Sequence, residues 1–303
     1  VDDVSTTVDE QDLLRMAAAL DQFVAGVPAD AQTIAALQSR VPLLGLEDRR
    51  DAVRLLGRLM ERADKPASMT WSVFVKLLPV AHPAYQTVNA VQLGHISGAL
   101  DAFVGTRPPE QRTAQRLRSA IPVLRRAERR SPSTLLRSLL ARQVKPAHVD
   151  WLQYVQALPV VHEAYRAVSQ RALLHGADVL DRFFAAYAGE PATQSTLRAH
   201  MPLRDASART SPGAALRRLL EGGLKPDALS WNQFVQLLPI ASEPYETVDA
   251  YMLGHGASAL DAFFRATPAQ AQALDTLRQA IPVLEASTRA NPAALLRTLL
   301  ERR

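Results

Sequence analysis

The sequence predicts an all-α fold, a right-handed α-solenoid of about seven and a half helical hairpins of roughly 40 residues each. Three observations predict it: a gapless period of 80 residues, helix caps that recur at that period, and apolar residues spaced i, i+3, i+4 behind each cap. The period is read from ALDQF (19–23), ALDAF (99–103), VLDRF (179–183) and ALDAF (259–263). Self-similarity at fixed spacing marks an array in which each unit buries its apolar face on its neighbours. The 303 residues are therefore expected to form one elongated solenoid, with double-repeat units at 1–81, 82–161, 162–241 and 242–303. The last unit is short, and the chain is expected to be part of a longer repeat protein.

The first helix start recurs at Asp51, Ser131, Ser211 and Asn291. These side chains can accept from a free amide of the first turn, and Pro132, Pro212 and Pro292 follow at the first helical position. Behind them run Leu56, Leu59 and Met60, then Leu136, Leu139 and Leu140, then Leu216, Leu219 and Leu220, one stripe for one buried face. A second start, at Thr70, Asp150 and Ser230, precedes Trp71, Trp151 and Trp231. The apolar set from each Trp predicts a helix of about two turns ended by Pro79, Pro159 and Pro239, because proline lacks an amide and restricts the residue before it.

A long helix is expected from near His82, His162 and Ser242, anchored by Tyr85, Tyr165 and Tyr245 and closing on the ALDAF-type segment. A further short helix carries Leu37 and Val41, Leu117 and Ile121, Leu197 and Met201, or Leu277 and Ile281, and meets Pro42, Pro122, Pro202 or Pro282. The prolines after short helices alternate at spacings of 37 and 43 residues, so each unit is two unlike hairpins of about 40 residues.

That span is the one HEAT and armadillo repeats occupy, and it excludes tetratricopeptide arrays. The helix ends KLLP (76–79), QALP (156–159) and QLLP (236–239), in a chain rich in Ala, Leu and Arg, resemble the HEAT/armadillo-like tandem repeats of the plant-pathogen type III effectors known as SKWP proteins. The resemblance covers the repeat layout along the whole chain. It implies secretion into a host cell, a virulence role through protein interaction, and no defined catalytic site.

Composition narrows the function classes. Hydrophobic residues make up 48% and charged ones 21%, too apolar a balance for disorder. With no cysteine, disulfides and thiolate metal sites are excluded. No apolar run reaches the roughly 20 residues of a bilayer span, and VDDVSTTVDEQD lacks a signal-peptide layout. A soluble protein is expected, cytoplasmic or, if an effector, secreted into a host cell. No nucleophile with a base, phosphate-cradling Gly loop or metal spacing stands out, so no catalytic site, cofactor or metal is expected.

Recurring polar residues have structural readings. His95, His175 and His255 stand two hairpins apart, too far to share a metal. Asp21, Asp101, Asp181 and Asp261 interrupt apolar helix and are expected to reach a neighbouring helix amide or an Arg, orienting adjacent hairpins. Lys65, Lys145 and Lys225 are expected to complement a helix C-terminus, and Trp71, Trp151 and Trp231 to pack in the core.

Charge is less uniform. Between Arg107 and Lys145 stand eleven basic residues against Glu110 and Glu128, an excess larger than the +5 of the whole chain. Other copies lack this cluster, so Arg107, Arg112, Arg116, Arg118, Arg125, Arg126, Arg129 and Arg130 are the candidate partner-binding residues, with Arg137 and Arg142 completing the run. The expected function is a non-enzymatic protein–protein interaction scaffold. The alternative is binding of nucleic acid or anionic lipid through the basic 107–145 segment.

Overall fold

A computed structural model of the chain describes residues 10–62, 65–105, 107, 112–201, 203–281 and 283–301. Among these the protein is all-helical, without a β-strand. Pro202, Pro282 and Glu110 lie outside the described residues. The chain divides into two compact units, Val1–Asp181 and Arg182–Arg303.

Four helix types recur at the 80-residue period. Long helices span Glu10–Ala25, Ala90–Val104, Gln170–Ala186 and Ala250–Phe263. Short helices span Ile34–Arg40, Ala114–Ala120, Gln194–His200 and Leu274–Ala280. Stripe helices span Ala52–Arg62, Pro132–Arg142, Pro212–Gly222 and Pro292–Glu301. Tryptophan helices occupy 71–81, Trp151–Val161 and 231–241.

The caps sit where their chemistry places them. Asp51 Oδ1 accepts from the Val53 and Arg54 amides at 2.9 and 3.0 Å, Ser131 from Thr134 at 3.1 Å, and Ser211 from Ala214 at 3.2 Å. Thr70, Asp150 and Ser230 accept from the third amide of each tryptophan helix, at 3.3, 2.6 and 3.1 Å. Stripe helices end at Gln143 and Gly223, both in the left-handed region at φ 51° and 58°. Only glycine reaches that conformation without strain.

Two expectations about boundaries are corrected. Pro79, Pro159 and Pro239 do not end the tryptophan helices: Pro159 lies inside Trp151–Val161, and the helices run on to residues 81, 161 and 241. A proline removes one amide and crowds one carbonyl four residues back. In the first copy the turn Val75–Leu77 tightens to a 3-10 helix ahead of Pro79, which relieves that crowding. The long helices do not begin near His82, His162 and Ser242 either. Separate 3-10 turns occupy Pro83–Thr87, Glu163–Ala167 and Glu243–Thr247. In the first and third copies new caps at Asn89 and Asp249 then start the helix.

In the first unit the helix Ala90–Val104 packs against Trp71–Phe74, against Trp151–Val161, and against the stripe helix Ala52–Arg62. Leu55, Leu56, Leu59, Phe74, Leu100, Phe103, Tyr154 and Leu158 are buried there. In the second unit Pro212–Gly222 and Trp231–Gln236 pack on Ala250–Phe263, burying Leu219, Leu220, Phe234 and Ala257. Each large apolar side chain removed from water contributes about 1.5–3 kcal/mol.

Polar bonds set how these helices meet. Asp101 accepts from the Trp71 and Ser72 amides at 2.6 and 2.8 Å. Asp181 does the same for Trp151 and Leu152 at 2.7 and 2.9 Å, and Asp261 for Trp231 and Asn232 at 2.6 and 2.9 Å. The expected bond from the mid-helix aspartate to a neighbouring helix amide is thus present three times.

The lysine expectation is corrected. Rather than facing a helix end, Lys65, Lys145 and Lys225 fold back: each Nζ donates to the carbonyls one and four residues on and lies 5.5 to 5.7 Å from the centre of the following Trp ring. Burial pushes all three ammonium groups down in pKa.

Tyr85, Tyr165 and Tyr245 pin the segment after each short helix. Their hydroxyls accept from the Leu44, Leu124 and Arg204 amides at 3.0, 3.2 and 3.2 Å, and those of Tyr85 and Tyr165 also donate to the Pro42 and Pro122 carbonyls. His82 and His162 add a ring N–H to the Val41 and Ile121 carbonyls at 2.7 and 2.6 Å.

Replacing Asp101 by Ala leaves two backbone amides without an acceptor and is expected to destabilise the protein by about 1–3 kcal/mol. A urea midpoint equal to that of the parent would refute the bond's role. The Tyr154 hydroxyl is fully buried without a hydrogen-bond partner among the described residues, at the position of Phe74 and Phe234. Tyr154→Phe is therefore expected to raise stability by about 1 kcal/mol in the same assay.

Candidate partner-binding surface

The arginine cluster divides once its side chains are traced. Arg129 Nε donates to the Leu124 carbonyl at 2.9 Å, its Nη1 to Ala164, and its guanidinium lies 5.8 Å from the Tyr165 ring centre. Arg49 makes the same set with Leu44, Ala84 and Tyr85, and Arg209 donates to Arg204. Arg129 is thus a member of the repeat, although the cluster as a whole is particular to its copy.

Arg118 reaches further. Its Nε donates to the Val161 carbonyl at 3.2 Å, and its Nη2 pairs with Glu61 at 2.5 Å. Gln38 and Arg198 make the corresponding carbonyl bond to Ala81 and Ala241, both at 3.0 Å. Arg112 donates to the Arg107 carbonyl at 2.7 Å, while Arg107 lies 4.9 Å from the Phe103 ring centre.

Arg125 pairs with Glu128 at 3.1 Å, and Arg142 bonds the other oxygen of Glu128 at 2.8 Å. The Arg142 hydrogen bond is the main reason the Glu128 carboxyl is pulled down to about 2. Arg130 donates to Thr134 at 3.3 Å. Arg116 and Arg126 are exposed and make no side-chain bond among the described residues. The eight arginines therefore do not act as one patch of unengaged charge.

A different surface is concave. In the first unit a groove of about 760 Å³ lies between the long helices Glu10–Ala25 and Ala90–Val104, floored by the tryptophan helix and the 3-10 turn that follows it. Its floor and walls are apolar, from Met16, Val75, Pro79, Val88, Val91 and Leu93. Its rim carries Arg15, Lys76 and His95 against Asp12, with Asp12 and Arg15 paired at 3.3 Å. Gly94 lies in the wall, and a Cβ there would meet nothing within 4 Å. Val91 is exposed, in the register of Gln11, Arg171 and Tyr251.

Sequence reasoning did not find this groove. The signal available was an apolar Val91 where two other copies carry Gln11 and Arg171. His175 and His255 are exposed on their own long helices, like His95. Among the described residues no cluster of three metal-ligating side chains occurs. No described helix is long and apolar enough to cross a membrane.

Comparison with protein families, with curated proteins and with solved structures finds no match to this chain.

The division of the arginines is testable by stability. Arg129→Ala removes a carbonyl clamp and a ring contact and is expected to cost about 1–3 kcal/mol. Arg126→Ala should change stability by less than about 0.5 kcal/mol. Equal effects in thermal denaturation would contradict the assignment of Arg129 to the fold.

Proposed function

We propose that this chain is a non-enzymatic interaction scaffold, a right-handed α-solenoid of about seven and a half hairpins, and that its first unit takes up a protein partner. The single observation carrying this reading is the groove, apolar along its floor and bordered by Lys76, His95 and the Asp12–Arg15 pair. An apolar segment with an acidic residue to meet Lys76 has the complementary chemistry. The recurring Asp, Lys and Tyr side chains are bound to backbone groups, which supports a structural role for them and leaves recognition to residues that differ between copies. The resemblance in repeat layout adds a setting, the repeat region of a bacterial effector working inside a host cell.

The reading through charge keeps a narrower basis. Arg116 and Arg126 offer exposed guanidinium groups to a phosphate, while Arg107, Arg112, Arg118 and Arg129 are held by carbonyls or rings.

Affinity capture with the parent protein, Val91→Asp and Gly94→Arg tests the proposal, since both substitutions alter the groove at positions with open space. A partner recovered by the parent is expected to fall about tenfold or more with each variant. Undiminished recovery counts against the groove. Binding of a DNA duplex or acidic vesicles at low salt that is lost on replacing Arg116 and Arg126 would move the function to the basic segment.

A further inference from the structure

The groove of the first unit favours one kind of incoming backbone. Met16 stands on the helix Glu10–Ala25, Val91 and Gly94 on Ala90–Val104, and Val75 and Pro79 on the tryptophan helix 71–81. Away from helix starts, the amides and carbonyls of such segments bond within their own helix. No strand edge occurs among the described residues. The two hydroxyls of the lining are also engaged, Ser72 donating to Asp101 and Tyr85 to the Pro42 carbonyl.

On the footing that this groove is the partner site, we infer that its occupant is an amphipathic α-helix of the partner. Its apolar face covers Met16, Pro79 and Val91, and an acidic side chain beside that face meets Lys76.

Backbone chemistry selects a helix. An extended segment would bring its own amides and carbonyls onto apolar surface with no strand edge to bond them, and a buried polar group without a partner is costly. A polyproline segment docks on a row of aromatic rings. Among the described residues Tyr85 is the only Phe, Tyr or Trp of the lining, and it is buried. A helix bonds its own backbone and requires from the groove only apolar contact and a charge. Gly94 gives the wall a position without a side chain, with open space where a Cβ would stand, so an incoming helix can approach closely there. Asp12 and Arg15 pair with each other, whereas Lys76 makes no side-chain bond among the described residues. With His95 neutral, the rim therefore carries the charge of Lys76, which an acidic residue complements.

Random peptides of about 16 residues, long enough for a marginal helix, serve as the probe when displayed on phage and selected on the parent protein. Clones are kept whose binding falls about tenfold or more on Val91→Asp or Gly94→Arg. Their apolar residues are expected at spacings of three and four, with Asp or Glu alongside. As free peptides they should gain helical signal in the circular dichroism difference spectrum on binding. Replacing two residues off the apolar face by glycine should weaken them about fivefold or more, because glycine penalises a helix. Clones with alternating apolar residues or proline-rich runs, or affinities indifferent to glycine, overturn the helix and leave the groove as the partner site. If no clone responds to Val91→Asp or Gly94→Arg, the groove itself fails as the partner site, and the helix with it.

Discussion

The bond from a mid-helix aspartate to the start of another helix is the constraint on which the repeat depends. Each tryptophan helix begins with orphan amides, and two groups divide them. The local cap at Thr70, Asp150 or Ser230 takes the third amide, and Asp101, Asp181 or Asp261 takes the first two. Aspartate inside a helix costs up to about 0.7 kcal/mol in propensity, whereas a hydrogen bond to a charged group contributes about 1.5–3 kcal/mol. The exchange favours the aspartate only where a helix start lies within reach. Asp181 shows the cost of the arrangement as well: burial raises its pKa, and the amides of Trp151 and Leu152 counter that shift.

The remaining locks follow the same logic of side chain to backbone. Lysine holds the loop that leads into the capped Trp, tyrosine and histidine hold the segment after the short helix, and Arg49 and Arg129 clamp that segment to the following 3-10 turn. Backbone partners are present whatever the local sequence, so each lock requires only one particular residue per copy. Neighbouring exposed positions are then free to differ, as Gln11, Val91, Arg171 and Tyr251 do at one register position.

Much of this was legible in the sequence, and the reason is that its determinants are local or periodic. Caps at Asp51, Ser131 and Ser211 act within one turn, and the aspartates were visible as polar residues out of place in apolar helix at a constant period. Pro159 was misread because its effect depends on what the surrounding turn can absorb, which spacing does not reveal. The start of the long helix was misplaced because Tyr85 and Tyr165 belong to 3-10 turns whose hydrogen bonds end at Val88 and Val168. The groove was invisible because it is a property of the space between two helices.

Charge count and charge availability part company at the basic segment. Eleven basic residues between 107 and 145 suggest a phosphate-binding field. A guanidinium that already donates to a carbonyl or carboxylate must lose that bond to engage a phosphate through the same nitrogen, and Arg118 and Arg129 each hold two such bonds. Arg125 and Arg142 share Glu128, whose carboxyl stays ionised well into acid because both arginines bind it. The groove starts from the opposite position. Its apolar lining has no internal polar partner to give up, and covering the exposed Val91 and the half-buried Met16 and Pro79 releases water from apolar surface. For a partner of given size, binding there displaces fewer bonds already made, which is why the proposed function rests on shape rather than charge.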